Sequence, residues 1–557
     1  MTSIKTRAII DHFPLTEHIK EAHKSQVIVL DAIQKAFAEG YKNVLLEAPV
    51  GSGKSAIAVT CSNFYGTSHM ITPRKSLQDQ YLDDFGQEDL VLMKGRNAYP
   101  CTYVSSGDKK PIYLQVVNDI ESGRPVRVAP GGTSCAEGPC KNNVEEFRKC
   151  TDTTSEKIND AWVTTTNDPC PYHVAVGVAQ RSPAVIHNLH SFIFQANFAA
   201  RFDERDLLVV DECHEMEGVV RGFAERTLIV KVIIPEADIP FARMKTLSDW
   251  VDWLRDNYAK HYSETNRMDG TSERGEFLQE LLVMEGFAEK FGEKFTAGVD
   301  WRNDHTKYTR FTFTPVQVGH MINQYLLDYG TKRLLMSGTI YSKSQFCRRN
   351  GLVEDETCFI RIGSTFPVKN RPIIFKDQYK VDTSHKMWDA NFREMIEKVE
   401  TIMDVFDDAK GLIHTPSYSA STAILAALRG TERAMAHSKD DFQSQLERFY
   451  RADDHPVFLS PICQQGVDFK YDRARFQILL RVPFLNTSDS FVGYQVENDY
   501  PWYNHQALVN FGQMIGRVNR SPDDFGVTIL MDERFGKFLS KNRTVLPKWL
   551  NDAIVTK

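Results

Sequence analysis

The stretch Leu45–Ser55 constrains the fold of this chain more than any other part of it. An apolar run, Val44–Leu46, breaks at Pro49 and passes into Gly51-Ser52-Gly53-Lys54-Ser55, after which Ala56–Val59 has the composition of a helix. A strand, a glycine loop and a helix in this order direct several backbone N–H groups at one anion. Glycine is required because a Cβ would hold the backbone away from a phosphate. The stretch predicts a nucleotide site, with a chance glycine-rich turn as the alternative.

The pattern is A-x-x-x-x-G-K-S, with Ala48 where the strict pattern has glycine. Lys54 is expected to reach the β- and γ-phosphates, and the Ser55 hydroxyl to bind Mg²⁺. Gln26, on a helix predicted over Glu17–Gly40, is a further candidate for nucleotide binding, although a solvated surface glutamine would look the same. The loop residues predicted to hold the nucleotide are Gly51, Ser52, Gly53, Lys54 and Ser55.

Composition describes a globular chain. Its 557 residues are 42% hydrophobic and 25% charged, which predicts roughly three or four domains with ample core. The sequence has no run long enough for a membrane span and no signal-peptide pattern, so we expect a cytoplasmic protein with no membrane partner. Because the net charge is −6, any nucleic-acid contact must come from local basic surfaces.

Half of the ten cysteines crowd one segment, 94–172, which is rich in Gly, Pro and Ser and has little apolar periodicity. In a large chain without a secretion signal, such clustering favours a metal over disulfides. Metal ligation would supply cross-links that the segment's poor core lacks. Spacing alone leaves zinc and iron–sulfur both open, and unligated thiols remain the alternative. The five cysteines are Cys101, Cys135, Cys140, Cys150 and Cys170.

A further candidate site, which is acidic, follows the predicted buried strand Leu207–Val210. This strand ends in Asp211-Glu212-Cys213-His214. Carboxylates at the C-terminal end of a parallel strand lie where open α/β sheets bind their ligands. Asp211 is expected to hold Mg²⁺, and Glu212 to orient and deprotonate the attacking water.

Beyond this site the periodicity changes twice. Between Glu215 and His305 the apolar residues have helical spacing, which predicts core faces of a helical insert. After Pro367 a second α/β pattern begins. Its predicted strands are Gly411–His414, Val457–Leu459, Phe476–Val482 and Val527–Met531.

Near the end of this second pattern, Gln513, Arg517 and Arg520 stand at i, i+4 and i+7, which predicts one shared helix face. Arginines that face a phosphate loop can stabilise charge on the transferring phosphoryl group. A solvated basic face is the alternative.

Together these residues resemble the XPD/DinG-type iron–sulfur superfamily-two DNA helicases. Lys94–Cys101 and Cys170–Tyr172 resemble the two flanks of the family's cluster domain, and Val50 and Cys213 depart from the family pattern. The segments that resemble motifs I, II, III, V and VI are Glu47–Ser55, Asp211–His214, Leu335–Thr339, Gln465–Phe469 and Gln513–Arg520.

The resemblance implies an α/β fold: two RecA-like parallel-sheet motor domains with an iron–sulfur insert and a helical arch insert. The implied bounds are 1–93, 173–221 and 306–370 for the first motor domain, 94–172 for the iron–sulfur domain, 222–305 for the arch and 371–557 for the second motor domain.

The same resemblance implies an ATP-dependent, Mg²⁺-dependent monomer that moves 5′ to 3′ on single-stranded DNA and separates duplexes with single-stranded tails. It implies a 4Fe–4S cluster held by Cys101 and Cys170, with Cys140 and Cys150 as the middle ligands and Cys135 as the spare. The implied catalytic residues are Lys54, Asp211, Glu212, Gln513, Arg517 and Arg520, and Asp468 joins the nucleotide-binding set.

Two other functions remain open at this point. A duplex-binding DNA translocase would hydrolyse ATP without releasing a strand. A non-motor, ATP-dependent DNA-binding scaffold would hydrolyse ATP without stimulation by DNA.

Overall fold

The computed structural model describes most of both α/β halves and parts of the two inserts, and no helix in this described part is long and apolar enough to cross a membrane. The described residues are 8–17, 19–86, 90–101, 120, 128, 134–137, 151–158, 161–230, 233–258, 273–291, 295–300, 309–428, 431–463, 467 and 469–556.

The first α/β half is built on seven parallel strands. They are β1 (Asn43–Glu47), β2 (Ser68–Thr72), β3 (Leu90–Met93), β6 (Ala184–Asn188), β7 (Arg205–Asp211), β11 (Gly330–Ser337) and β12 (Thr357–Arg361). The strand order in the sheet is β12-β1-β11-β7-β2-β6-β3. Residues 43–47 of β1 are buried throughout, as expected of a strand covered on both faces.

Helices cover both faces of this sheet and enclose two separate apolar cores. The helix predicted from Glu17 begins later, at Lys24, because the backbone N–H and side chain of His23 form a capping box with Gln26. The helices are α1 (Lys24–Ala38), α2 (Lys54–Tyr65), α3 (Lys75–Phe85), α4 (Pro171–Arg181), α5 (Leu189–Asn197), α6 (Met216–Ala224), α9 (Gly319–Tyr325) and α10 (Lys343–Asn350).

The second half repeats this architecture in the order β15-β16-β14-β17-β18-β13-β19, again with every strand parallel to its neighbours. Its strands are β13 (Ile373–Ile374), β14 (Gly411–His414), β15 (Ala434–Ala436), β16 (Val457–Ser460), β17 (Phe476–Leu479), β18 (Val527–Leu530) and β19 (Ile554–Val555). Its helices are α11 (Trp388–Val405), α12 (Tyr418–Ala427), α13 (Phe442–Arg451), α14 (Ser490–Asn498), α15 (Tyr500–Ile515), α16 (Phe535–Asn542) and α17 (Lys548–Asn551).

The inserts contain two antiparallel sheets. A hairpin, β4 (Thr151–Ile158) and β5 (Ala161–Pro169), lies in the cysteine segment. The second insert combines α7 (Leu247–Tyr258) and α8 (Glu273–Phe291) with three strands in the order β8-β10-β9. These strands are β8 (Arg226–Val230), β9 (Phe295–Asp300) and β10 (Thr309–Pro315).

Helical spacing therefore describes only part of the second insert. Phe295, which lies in the range predicted to be helical, pairs instead with Pro315 in the ladder of β9 and β10. Phe311 and Phe313 of β10 pack against Trp250 of α7, with ring centroids 5.8 Å away in both cases. The insert is thus a small module in which helices pack on an antiparallel sheet.

Helices α14 and α15 of the second half dock onto the first half through a buried ionic cluster. Glu217 of α6 accepts a hydrogen bond at 2.5 Å from Arg349 of α10, and the indole N–H of Trp502 donates to Glu217 at 3.2 Å. Arg349 also lies 3.4 Å from Asp499, which precedes α15. This cluster places α15 beside the carboxyl ends of the first sheet.

Candidate functional site

The glycine loop that contains Gly51-Ser52-Gly53, called the phosphate loop from here on, joins the end of β1 to the start of α2, as predicted. Gly51 and Gly53 both adopt left-handed backbone conformations, with φ of 77° and 75°. A Cβ on Gly51 would lie 2.1 Å from the ring of Phe366, and a Cβ on Gly53 would lie 2.1 Å from Nε2 of Gln26. Both glycines are therefore required by conformation and by close neighbours.

We expect Gly51→Ala to weaken nucleotide binding by on the order of tenfold or more, because alanine is strained at this φ and meets the buried Phe366 ring. Titration with a fluorescent ADP analogue measures the change. Gly222→Ala on α6 is the control, since a Cβ there has nothing within 4 Å. Unchanged affinity in Gly51→Ala would contradict the close fit.

Gln26 is buried, so the alternative of a solvated surface glutamine is excluded. Its Nε2 donates to the carbonyl of Gly53 at 3.4 Å, and its Oε1 accepts from the backbone N–H of His23 at 2.8 Å. The side chain thus connects the start of α1 to the phosphate loop.

Lys54 begins α2 and turns back over the loop, where its Nζ donates to the carbonyl of Ala48 at 3.1 Å. The Ser52 hydroxyl donates to the carbonyl of Pro49 at 2.7 Å. These two bonds close the loop on itself, and they leave the Lys54 ammonium near Glu212 and Asp211, on whose carboxylates it acts electrostatically.

Asp211 ends β7 with both carboxylate oxygens hydrogen-bonded. Oδ1 accepts from the backbone N–H of Glu212 at 2.9 Å, and Oδ2 accepts from the phenol of Tyr81 at 3.0 Å. Burial, followed by the neighbouring charge of Glu212, raises the pKa of Asp211 to about 6. A bound Mg²⁺ would favour the ionised carboxylate, which suits this group as a metal ligand.

Glu212 adopts a left-handed conformation, with φ of 51°. Its carboxylate lies 3.3 Å from Nδ1 of His214 and accepts from the Ser337 hydroxyl at 3.5 Å. Burial acts to raise the pKa of Glu212, but Lys54 and His214 outweigh it and the pKa is lowered. The carboxylate is therefore ionised at neutral pH, as a general base must be.

The end of β11 connects this site to the second half of the chain. Ser337 shares a hydrogen bond of 2.8 Å with His214, and Thr339 accepts from the side-chain amide of Gln513 on α15 at 3.1 Å. A Cβ on Gly516 would lie 3.5 Å from Cγ2 of Val50 in the phosphate loop. The structure thus brings the segments resembling motifs I, II, III and VI to one cleft.

The prediction that Gln513, Arg517 and Arg520 share a helix face is wrong for the two arginines. Helix α15 ends at Ile515, where Gly516, a poor helix former, follows it. The arginines nevertheless converge: Arg517 donates to the carbonyl of Val467 at 2.8 Å, and Arg520 donates to the same carbonyl at 3.5 Å. Arg517 also donates to Oε1 of Gln513 at 3.1 Å. Their meeting point is the segment resembling motif V.

Three of the five clustered cysteines lie in the described part of the chain, and they approach one another. Sγ of Cys135 is 3.4 Å from Sγ of Cys170, and Cys101 is close enough to act electrostatically on Cys135. The hydrogen bond from Cys135 lowers the pKa of Cys170 to about 7, and the same bond raises the pKa of Cys135. All three thiols are free of disulfides.

The approach of Cys135 to Cys170 makes Cys135 a candidate ligand beside the predicted set, in which it is the spare. Among the described residues alone, no group of three or more His, Cys, Asp or Glu side chains is arranged to hold a metal. The predicted ligands Cys140 and Cys150, and the predicted nucleotide-binding residue Asp468, lie outside the described residues. They stay predictions.

Two residues at the site were missed from the sequence. Tyr81 on α3 reaches Asp211, and Phe366 between the two halves covers Gly51. Tyr81 stands seven residues after Arg74, which pairs with Glu215 at 2.5 Å, so both face the loop after β7. That helical spacing was available in the sequence, but the partner across the sheet was not.

The described part of the chain contains two RecA-like parallel sheets that meet at the phosphate loop. Residues 400–553 match the family model described as Helicase C-terminal domain. A solved XPD helicase structure superposes with a TM-score of 0.58 at 16% identity, over 96% of this chain and 99% of that one. The Xpd4 structure from S. tokodaii gives 0.54 at 14%, over 96% and 100%.

Short stretches of the chain are also similar to curated helicases of the XPD/Rad3 type. The chain is 32% identical over 96 residues to the Saccharomyces cerevisiae general transcription and DNA repair factor IIH helicase subunit XPD/RAD3, which covers 15% of this chain and 12% of the relative. It is 30% identical over 138 residues to the Fanconi anemia group J protein homolog of Gallus gallus, which covers 21% and 11%. The alignments thus span a small part of each curated relative.

Proposed function

We propose that this protein is an ATP-dependent DNA helicase that translocates 5′ to 3′ on single-stranded DNA and separates duplexes. The observation that carries the proposal is the contact of Gln513 with Thr339, since it joins the second motor half to the site of Glu212. A cleft completed from both halves can respond to ATP by closing and to hydrolysis by opening, which is the requirement for a motor.

For ATP hydrolysis we assign the roles residue by residue. Lys54 and the loop glycines hold the phosphates, while Ser55 and Asp211 hold Mg²⁺. Glu212 accepts a proton from the attacking water, because its carboxylate is ionised and Asp211 is assigned to Mg²⁺. The second half contributes Gln513, Arg517 and Arg520, which act from the opposite side of the cleft on charge developing at the γ-phosphate.

The DNA substrate and the direction of movement are proposed from the resemblance to the XPD/DinG-type helicases. Arg74 and Lys75 follow the carboxyl end of β2, where basic groups suit contacts with the phosphate backbone. We further propose that the protein acts as a monomer on DNA with single-stranded tails.

Strand displacement tests the function directly. Purified protein is assayed for ATPase activity with and without single-stranded DNA, and for unwinding of duplexes with either a 5′ or a 3′ tail. We expect DNA-stimulated hydrolysis and release of the strand only from the 5′-tailed duplex. Hydrolysis without displacement would instead support a duplex translocase, and absence of DNA stimulation would support a scaffold.

We also propose that the cysteine segment carries a 4Fe–4S cluster, which would cross-link a segment with little core of its own. Cys101, Cys135 and Cys170 would hold it together with one residue of the pair Cys140 and Cys150. Cys135 is included because the fold brings it beside Cys170. The cluster's contribution is structural, since the groups assigned to hydrolysis belong to other segments.

Replacing Cys135 with Ser is expected to remove the broad visible absorption of anaerobically purified protein, because a hydroxyl is a poor ligand for iron. Strand displacement should be lost while a substantial part of the ATPase activity remains. Cys358→Ser in β12 is the control, and it should leave the spectrum unchanged. An unchanged visible spectrum in Cys135→Ser would show that Cys135 is the spare cysteine. Stoichiometric zinc without iron in the purified protein would contradict the proposal of a 4Fe–4S cluster.

A further inference from the structure

We propose that Tyr81 is a positioning residue that fixes the magnesium-binding carboxylate of Asp211. The inference rests on the proposed function of the nucleotide site and adds a residue to it from α3. No motif resemblance named Tyr81. Its phenol donates a 3.0 Å hydrogen bond to Oδ2 of Asp211, and both side chains are buried.

The carboxylate of Asp211 is held at both oxygens. The Glu212 backbone N–H binds Oδ1 at 2.9 Å, so a second donor on Oδ2 fixes rotation of the group about its Cβ–Cγ bond. Each carboxylate oxygen has two acceptor sites, and each therefore keeps one for Mg²⁺ or a water bound to it. Without the phenol, the carboxylate would keep only the backbone bond and could turn away from the metal.

Tyr81 also lies near the other proposed magnesium ligand. The Ser55 hydroxyl is close enough to the same phenol to act on its pKa. One side chain therefore lies between the first residues of α2 and the end of β7, the two places from which the proposed metal ligands come. A residue between two ligands sets their separation, which matters for Mg²⁺ because it demands near-ideal octahedral geometry.

Helix α3 is itself held in place at two positions that precede Tyr81. Arg74, at its N-terminus, pairs with Glu215 at 2.5 Å, just after the acidic site. Gln78 is buried and donates to the carbonyl of Met93 at 3.3 Å. The phenol thus projects from a helix that is itself held in place, so its hydrogen bond fixes the position of the Asp211 carboxylate.

The test is the magnesium dependence of Tyr81→Phe, which keeps the ring and removes only the hydroxyl. We expect the Mg²⁺ concentration for half-maximal binding of a fluorescent ADP analogue to rise by on the order of tenfold, since a hydrogen bond to a charged group is lost. Binding of the analogue without Mg²⁺ should be unchanged, and saturating Mg²⁺ should restore most of the ATPase rate.

Tyr503→Phe is the matched control, because its phenol donates to the carbonyl of Leu485 at 3.1 Å in the second half, away from the metal. It should leave the magnesium dependence unchanged. In an Asp211→Asn background, Tyr81→Phe should shift the magnesium dependence by less than about twofold, since the two act as one unit.

A normal magnesium dependence in Tyr81→Phe would overturn the inference, as would an equal shift with Asn at position 211. The binding assay needs no ATP turnover, so it tests the role of Tyr81 independently of the helicase proposal. A protein that binds Mg²⁺ and ADP but never hydrolyses ATP would contradict the helicase proposal, and the role of Tyr81 could still be tested. If Tyr81→Phe melts well below the Tyr503→Phe control and has lost Mg²⁺-independent binding too, Tyr81 is a packing residue and the inference fails.

Discussion

Glu212→Gln is expected to bind ATP with an affinity within about threefold of the wild type and to lose turnover by on the order of a hundredfold or more. The substitution keeps the shape of the side chain and its capacity to accept from Ser337. It removes the negative charge that accepts a proton from water. Single-turnover hydrolysis with excess enzyme, together with equilibrium binding of a fluorescent ATP analogue, separates these two effects.

Glu356→Gln is the control for charge removal in the same half, because Glu356 pairs with Lys42 on the surface at 2.9 Å. Exposed pairs of this kind contribute little, so its kinetics should match the wild type. Turnover near the wild-type rate in Glu212→Gln would exclude Glu212 as the base.

Arg517→Ala should lower kcat by on the order of a thousandfold, while KM for ATP changes far less. Its guanidinium holds both the carbonyl of Val467 and the side chain of Gln513, so the substitution removes a transition-state charge and also frees Gln513 from its position. Arg517→Lys should recover only a small part of the loss, because an ammonium cannot make this forked contact.

Arg473→Ala is the control within the second half, where the guanidinium lies 4.6 Å from the ring centroid of Tyr450 and outside the cleft. It is expected to leave kcat unchanged. Equal losses in nucleotide affinity and in kcat/KM for Arg517→Ala, with kcat preserved, would assign Arg517 to ground-state binding.

The two parallel sheets were largely predictable from sequence because buried parallel strands have continuous apolar runs. The predicted strand Gly411–His414 coincides with β14, and Leu207–Val210 lies within β7. The phosphate loop and the acidic site were also predictable, since each is a contiguous motif that follows such a strand. Family resemblance then supplied the pairing of the two halves.

Contacts between distant segments were not predictable in the same way. Tyr81, Phe366 and Glu217 act through partners more than a hundred residues away, and no local spacing identifies those partners. The end of α15 was not predicted, because the helical spacing of the polar residues continues past Gly516 although the helix ends at Ile515. The proximity of Cys135 to Cys170 likewise depends on the folded segment and has no signal in the spacing of the cysteines.

The position of β1 has a consequence for how the chain folds during synthesis. Its neighbours in the sheet are β11 and β12, and hydrogen bonds join Asn43 to residues 290 and 314 positions later. Such non-local pairing slows folding, because the entropy cost of closing the loop comes before the contacts that offset it can form. The strand leading to the phosphate loop therefore stays unpaired until both inserts have left the ribosome. In the second half β13 waits for a shorter stretch of chain, because its neighbours are β18 and β19 and Ile373 pairs with Thr528 and Ile554. A chain halted before residue 330 would expose both edges of an apolar strand, a state that favours aggregation.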